Sequence, residues 1–166
     1  MTLAESGVMS LLKSGKYRFL DRYAPGLTPE ETRRIFIESF AADAYLCSAN
    51  AITLNGELYN VDGNSNRVAA ICYGPASVIV VAGYNKIVKD LDEAVQRVKR
   101  MAAPANAVRL GCKPPCASLG SCAGLNGGMT AGCNGDSRIC CNYLVSARQR
   151  EKGRIKVILV GRELGY

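Results

Sequence analysis

The spacing of apolar and polar residues along the chain predicts strands that alternate with helices. Residues 77–82 form an unbroken, β-branched apolar run, which is typical of a central strand with parallel neighbours. After this run, Asp90 and Glu93 can cap a helix in which apolar residues recur every three or four positions. The apolar face of that helix should contain Leu91, Ala94, Val95, Val98 and Met101. We expect it to cover one face of the sheet.

Local signals place the remaining helices and strands. Thr28 and Glu31 can form a capping box around Pro29, which predicts a helix that reaches about Ala42. Two further helices are predicted at 2–12 and 66–72, and further strands at 16–20, 44–48, 140–145 and 155–160. Because strands and helices alternate, the sequence indicates an α/β fold with a mostly parallel sheet flanked by helices. Its length of 166 residues fits a single domain spanning 1–166.

A predicted hairpin leads into a polar, glycine-bearing loop. The Asn-Gly pair at 55–56 lies between two short β-prone runs, so we expect a hairpin whose two turn residues are both left-handed. The loop at 60–66 then enters a helix N-terminus, where free N–H groups favour anions and where Asn64 and Asn66 can act as caps. The same loop is equally consistent with a self-satisfied turn, in which Asp62 and Asn64 bond to nearby backbone.

Composition excludes several classes of site. The chain has no histidine, so nucleophilic Ser-His or Cys-His pairs and imidazole-bound catalytic zinc are excluded. A general base must be a carboxylate, Lys, Tyr or Cys, and a soft-metal site must be built from thiolates. The net charge is +7, and an alternating basic run at 148–156 fits either a solvated turn or an anion-binding surface. No nucleic-acid, nicotinamide or flavin motif accompanies it, so binding of nucleic acid is not expected.

The role of the eight cysteines depends on the cellular compartment in which the protein is expected. No basic N-terminal region precedes a long apolar run, and the longest strongly apolar stretch, 78–82, is too short to cross a bilayer. We therefore expect a cytoplasmic protein without membrane contact. In the cytoplasm, cysteines serve as metal ligands, catalytic thiols or buried apolar residues more often than as disulfides. Six of the cysteines crowd into the segment 111–141: Cys112, Cys116, Cys122, Cys133, Cys140 and Cys141.

The most specific stretch is 50–70, which reads Asn-Ala-Ile-Thr-Leu-Asn-Gly-Glu-Leu-Tyr-Asn-Val-Asp-Gly-Asn-Ser-Asn-Arg-Val-Ala-Ala. Through it the chain resembles the LUD (lactate utilisation) domain family. Members of that family include the B and C proteins of bacterial iron–sulfur-linked L-lactate oxidation. Further blocks that carry the resemblance lie at 21–26, 74–75, 80–83, 85–88, 102–104 and 158–161.

The resemblance implies a fold like that of ribose-phosphate isomerases and CoA transferases. Those relatives bind phosphorylated sugars or CoA esters at the carboxyl ends of their strands. The resemblance places the following residues at such a site: Asn60, Asp62, Gly63, Asn64, Asn66, Arg67, Asn85 and Lys86. We expect them to converge at one end of the sheet and to favour an anionic small molecule. Asp62 and Lys86 are the candidate acid or base.

Two further expectations come with the resemblance. Family members usually carry several tens of residues before the region that matches 1–7, so we expect this domain to lack its N-terminal part. A strand missing there would leave an open sheet edge, on which a second copy of the chain can pair.

The cysteine segment follows a family pattern with a longer middle spacing. Related short members have a cysteine cluster after Lys-x-Pro-Cys, which stands here at 113–116. The candidate ligands are Cys116, Cys122, Cys133 and Cys140, with Cys112 and Cys141 as spare candidates. Four thiolates can bind zinc or an iron–sulfur cluster. The alternative is a loop with free thiols.

Three functions remain open from the sequence. The first is an accessory protein in oxidation of L-lactate or a related organic acid, acting beside iron–sulfur redox subunits. The second is an enzyme that acts on a phosphorylated sugar or CoA ester. The third is a cysteine-rich, metal-binding interaction module. Whether the chain is catalytic stays undecided at this level, because fold analogy does not establish a reaction.

Overall fold

A parallel three-stranded sheet lies at the centre of the computed structural model, which describes residues 1–166. Its strands are β1 (Ala44–Cys47), β4 (Ser77–Gly83) and β7 (Ile155–Val160). β4 is the middle strand and pairs in parallel with both neighbours. The predicted central strand is therefore confirmed. Val78, Val80 and Val81 are buried, as expected in a strand with neighbours on both sides.

A second sheet was not predicted. It contains β2 (Ala51–Thr53), β3 (Leu58–Asp62), β5 (Ile87–Val88) and β6 (Asn142–Ser146) in the order β5–β2–β3–β6. The β2–β5 pair is parallel, and the other two pairs are antiparallel. The prediction of a mostly parallel sheet thus holds for the first sheet alone.

The turn between β2 and β3 differs from the predicted one. The hairpin itself is confirmed, but Gly56 is the only turn residue in the left-handed region, with φ +88°. The Gly56 N–H donates to Thr53 O, and the Thr53 N–H donates to Glu57 O. This is a type I-like turn followed by a left-handed glycine, the usual geometry of slightly longer hairpin loops.

The N-terminal third is less regular than its apolar spacing suggested. Two short helices, α1 (Thr2–Glu5) and α2 (Val8–Leu12), replace the predicted single helix because Gly7 adopts φ +82° between them. Residues 16–20 form no strand, so that prediction was wrong. They lie along the exposed part of the chain beyond Gly15, where no strand is available for pairing.

The next helices begin as their capping signals indicate. α3 (Pro29–Glu38) has the predicted capping box and continues as a short 3₁₀ turn, Ser39–Ala41. α4 (Asn66–Tyr73) follows the polar loop, and a 3₁₀ turn, Tyr84–Lys86, follows β4.

A long helical segment covers the second sheet. It consists of α5 (Leu91–Arg97), one π-helical turn (Val98–Ala102) and α6 (Ala103–Arg109). Asp90 caps it by accepting the Glu93 N–H at 3.0 Å, as predicted. Ala102 is buried in this turn, whereas Met101, which the sequence placed on the apolar face, is 51% exposed.

The two sheets and the long helical segment form successive layers. One core cluster joins β1, β4 and α4 to the facing side chains of β2 and β3, including Ile52 and Leu58. A second cluster lies on the other face of β2 and β3, where Ala51 and Tyr59 meet the helical segment. The helix begun at Asp90 therefore covers the second sheet, not the sheet that contains β4. A last short helix, α7 (Pro115–Leu119), opens the cysteine segment. None of the helices has the length and apolarity needed to cross a bilayer.

Candidate functional site

The carboxyl ends of β1 and β4 bring a buried lysine to the centre of the molecule. Lys86 is only 4% exposed, and no carboxylate contacts its ammonium group. Its Nζ donates to Thr2 Oγ1 and Ser48 Oγ at 3.0 Å and to Ala49 O at 3.2 Å. Burial, together with the positive charges of Arg97 and Arg67, lowers the pKa of Lys86 to about 8.

Arg67 organises the polar loop beside this lysine. Its Nε and Nη2 bind Asp62 Oδ1 at 2.9 and 2.8 Å. The remaining N–H groups donate to Ser48 O, Asn60 Oδ1, Asn50 Oδ1 and Val61 O. All donors of the guanidinium are therefore used within the protein, so Arg67 holds the loop in place and offers no free donor to a ligand.

Asp62 caps α4, a role the sequence assigned to Asn64 and Asn66. Asp62 Oδ2 accepts the backbone N–H groups of Arg67 at 3.0 Å and Val68 at 3.1 Å. Ser65, in the left-handed region, precedes the helix without a side-chain cap. The capping prediction was wrong, because Asp62 reaches two amides while its other oxygen binds Arg67. The loop is the self-satisfied turn that the sequence left as an alternative.

The other predicted site residues separate into two groups. Gly63 accepts a bond from Asn142, Asn64 is exposed, and Asn66 lies beside Arg22. Asn85 turns towards the C-terminal segment, where it accepts the Leu164 N–H and donates to Gly165 O, both at 3.1 Å. Geometry thus brings Asn60, Asp62, Arg67 and Lys86 together around the segment 48–50 and leaves Asn64 outside.

The sequence analysis missed Arg97. Its Nε donates to Asn85 O at 3.0 Å and its Nη1 to Asn50 O at 2.7 Å, while the buried Nη2 has no partner. A signal was present: Arg97 lies three residues after Ala94, on the face of the helix that is otherwise apolar. Arg67, Lys86 and Arg97 place three cations together, and Asp62 is the one carboxylate bonded among them. This end of the sheets therefore suits an anion electrostatically.

The four candidate metal ligands line one cavity on the other side of the second sheet. Cys116 lies in α7, Cys122 and Cys133 lie in the loop that follows, and Cys140 precedes β6. The cavity has a volume of about 30 Å³. Its walls are mostly apolar and include Tyr59, Val98, Met129 and Tyr143. Sequence spacing identified the thiols, but not these wall residues, which come from β3, the helical segment and β6.

The thiols share a cavity without forming a ready-made ligand set. No group of three or more His, Cys, Asp or Glu side chains is arranged to hold a metal ion. Burial, together with the neighbouring Cys116 and Cys122, raises the pKa of Cys140 to about 11. The pKa of Cys116 is raised for the same reason, with Cys133 and Cys122 as neighbours. These thiols therefore stay protonated near neutral pH unless a cation lowers their pKa.

Two basic side chains hold the cysteine loop in shape. Arg138 donates to Cys140 O at 2.7 Å and to Cys133 O at 2.9 Å. Lys99 donates to the carbonyl oxygens of Gly124, Gly127 and Gly128 at 2.6–2.9 Å. Both side chains also line the cavity, and no acidic side chain does. Four sulfur donors beside two cations fit a soft, anionic thiolate centre.

Comparison with known protein families identifies the domain that contains both groups of residues. A model of the LUD domain matches residues 1–160. The chain belongs to the LUD domain family. The matched part of this LUD domain contains the buried cations and the whole cysteine segment, and the family associates the protein with lactate utilisation in general. No match is found among curated proteins or among solved structures.

Proposed function

We propose that this LUD domain protein is an accessory component in the iron–sulfur-linked oxidation of L-lactate or a related organic acid. The match to the LUD domain over residues 1–160 supports the general association with lactate utilisation. The buried polar network at Lys86 gives the domain a rigid centre. The cysteine segment gives it a site for a thiolate-bound metal, either zinc or an iron–sulfur cluster. The protein acts in the cytoplasm beside redox subunits that themselves carry iron–sulfur clusters.

The observation that carries this proposal is the convergence of four cysteines on one cavity. They come from three separate parts of the segment 111–141, and they enclose the cavity together with apolar walls. Burial and the neighbouring thiols both penalise the thiolate forms, so these cysteines stay protonated unless a cation binds. A bound metal would remove that penalty and supply folding free energy to a loop with few apolar residues. Cys116, Cys122, Cys133 and Cys140 would hold it.

The test is anaerobic isolation of the tagged chain from cells that grow on lactate. We expect metal in the isolated protein and co-purification of iron–sulfur redox subunits. The variant Cys116→Ser/Cys140→Ser should lose the metal. Cys72→Ser is a matched control, because Cys72 is exposed in α4 and lies away from the cavity. Isolation of the wild-type chain without metal and without redox subunits would contradict the proposal. Metal without redox subunits would instead favour a metal-binding interaction module.

The buried cations favour a second candidate, an enzyme that acts on a phosphorylated sugar or a CoA ester. The unpartnered Nη2 of Arg97 and the ammonium of Lys86 lack carboxylate partners at the carboxyl ends of the parallel strands. A phosphate group would supply an acceptor for Arg97 Nη2, and Lys86, with its lowered pKa, would act as the acid or base.

Thermal stabilisation tests the second candidate. Ribose 5-phosphate or acetyl-CoA, added to the wild-type chain in a thermal unfolding assay, should raise Tm if either class of ligand binds. Lys89→Met serves as the control, since Lys89 is exposed, and Lys86→Met should abolish the effect. No shift with either compound at millimolar concentration would reject this candidate.

A further inference from the structure

The outer edge of β7 presents backbone groups that no part of the chain binds. β7 pairs with β4 alone, so one side of the strand has no neighbour. At its first residue the side-chain amide of Gln149 takes the place of a strand: its Oε1 accepts the Ile155 N–H at 2.6 Å, and its Nε2 donates to Ile155 O at 2.7 Å. Backbone groups alternate in direction along a strand, so those of Val157 and Leu159 also point outward, where they have no partner.

Apolar side chains along this edge are exposed on both faces of the sheet. Val157, Ile158 and Leu159 are consecutive residues of β7, and each is 43–54% exposed. An unpaired edge with apolar side chains is a template for pairing with another strand. The free backbone groups and the apolar side chains therefore favour an extended chain as the occupant of this edge.

A cavity of about 160 Å³ lies beside the first half of β7. It is lined by Leu58, Ile155 and Val157 and by the loop that joins β6 to β7. Lys156 points to the opposite face of the sheet, because side chains alternate along a strand, and its Nζ donates to a hydroxyl, Ser77 Oγ, at 2.9 Å. An added strand would therefore place an apolar side chain in the cavity and could place the next residue, if acidic, beside Lys156.

The loop before β7 adds three cations at the same end of the edge. Arg148, Arg150 and Lys152 are exposed, and their side chains take part in no ion pair within the chain. Glu151 is the one carboxylate in this loop. Arg154, by contrast, is used internally, since it donates to carbonyl oxygens near the end of α4. The free cations favour a partner that carries carboxylates.

The same charges disfavour a second copy of the chain at this edge. Antiparallel pairing of two β7 strands about Val157 would bring Lys152 of one copy towards Arg162 of the other. Pairing about Ile158 would bring Arg154 towards Arg162. Like charges at facing positions destabilise a strand pair. A different, acidic chain complements this edge where a second copy does not.

We propose that β7 docks an extended, acidic segment of a partner protein, which adds a fourth strand to the parallel sheet. The backbone of Val157 and Leu159 binds the segment, the cavity takes one apolar side chain, and Lys156 and the loop at 148–152 bind its carboxylates. In such complexes main-chain hydrogen bonds supply affinity, and alternate side chains supply specificity. This docking surface shares no lining residue with the cysteine cavity, and it does not depend on the proposed function.

The experiment titrates the full chain with an acetylated and amidated peptide of alternating Val and Glu residues, followed by calorimetry. We expect saturable binding, and the amide signals of Val157 and Leu159 should shift in NMR spectra and become protected from hydrogen exchange. A peptide of alternating Val and Lys should not bind. The Val–Glu peptide with a fully N-methylated backbone should bind about tenfold more weakly or worse, because it donates no hydrogen bonds.

Variants of the chain separate the contribution of the backbone from that of charge. Val157→Pro removes an outward N–H and leaves the ladder to β4 intact, so the peptide should bind about tenfold more weakly, whereas Val157→Thr should keep most of the affinity. Arg148→Glu/Lys152→Glu should weaken binding to a similar degree. Arg33→Glu/Arg100→Glu is the matched control, at exposed positions on other elements. Circular dichroism reports the fold of each variant, and the N-methylated peptide tests the same bonds if Val157→Pro does not fold.

Three outcomes would overturn the proposal. Absence of binding by the Val–Glu peptide at millimolar concentration would reject the docking surface. Equal binding of the N-methylated peptide, together with its displacement by a single-stranded oligonucleotide, would show a surface for anions in general. Dimerisation of the free chain that Val157→Pro abolishes, measured by analytical ultracentrifugation, would assign the edge to a second copy.

Discussion

The carboxylate of Asp62 accepts hydrogen bonds from both the side chain and the backbone of Arg67. Asp62 Oδ1 accepts from Arg67 Nε at 2.9 Å, and Asp62 Oδ2 accepts the Arg67 backbone N–H at 3.0 Å. The carboxylate thus starts α4 and orients the guanidinium that holds the segment 48–50. Because both groups are largely buried, each depends on the other for its hydrogen bonds.

Substitution of Asp62 should therefore destabilise the fold. Asp62→Ala leaves the Arg67 charge unpaired and two amides of α4 uncapped, and we expect a loss of about 3 kcal/mol in the free energy of unfolding. Chemical denaturation measures it. Asn64→Ala is the control, because Asn64 is exposed in the same loop, and it should change stability by less than about 0.5 kcal/mol. Equal effects of the two substitutions would show that Asp62 is not the cap.

Lys86 should give stability a specific dependence on pH. Its pKa is about 8 in the folded chain and about 10.5 in the unfolded chain, so the unfolded chain binds more protons between these values. Stability contributed by this residue therefore rises as pH increases from about 8 to 10.5, and its burial is most costly below pH 8.

The check is the difference in unfolding free energy between the wild type and Lys86→Met as a function of pH. Between pH 8 and 10.5 the wild type should gain unfolding free energy relative to the variant as pH rises, since Met does not titrate. Lys89→Met provides the baseline, because Lys89 is exposed. A pH-independent difference would mean that Lys86 titrates normally in the folded chain.

Arg97 should matter for stability as much as a core residue does. Arg97→Ala removes the donors to Asn85 O and Asn50 O and leaves these carbonyls of the two loops unsatisfied. We expect a loss of about 3 kcal/mol, consistent with two charge-assisted hydrogen bonds. The neighbouring Arg100→Ala, at an exposed position, should have little effect on the denaturation midpoint. A small effect of Arg97→Ala would contradict the structural role given to this guanidinium.

Two adjacent positions in the π turn should differ in how strongly substitution changes stability. Ala102 is buried against the second sheet, so Ala102→Leu should overpack the core and cost about 1–3 kcal/mol. Met101 is exposed, so Met101→Ala should cost less than about 0.5 kcal/mol. Thermal unfolding of both variants compares the two positions. A larger loss of stability for Met101→Ala than for Ala102→Leu would contradict this placement of the two side chains.

Local sequence signals determined the elements that depend on neighbouring residues. The capping box at Thr28 and the cap at Asp90 act over three residues, and the hairpin at 55–56 is set by its own turn, so all three can be predicted without knowledge of the fold. The central position of β4 also followed from its sequence, because only a strand covered on both faces can be apolar throughout. The clustering of cysteines in 111–141 was equally visible.

The tertiary structure decided the features that depend on distant partners. Residues 16–20 have strand-like spacing, but no strand lies beside them to pair with. Ala102 is buried in place of Met101 because Ala102 packs against the second sheet, which the sequence did not reveal. Arg97 became part of the polar network only where Asn50 and Asn85 present free carbonyl oxygens to it.

At the two candidate sites, too, the sequence determined some features and the tertiary structure determined others. Sequence supplied the types of residue at each: thiols in one segment, and a carboxylate, an arginine and a lysine in the blocks around 60–67 and 85–88. Whether these side chains face a ligand or one another depends on strand order and on which loops meet at the carboxyl ends of the strands. Arg67 turned inward because Ser48, Asn50 and Asn60 bring acceptors to it from distant parts of the chain, while the cysteines turned towards a common cavity between β3, the helical segment and β6.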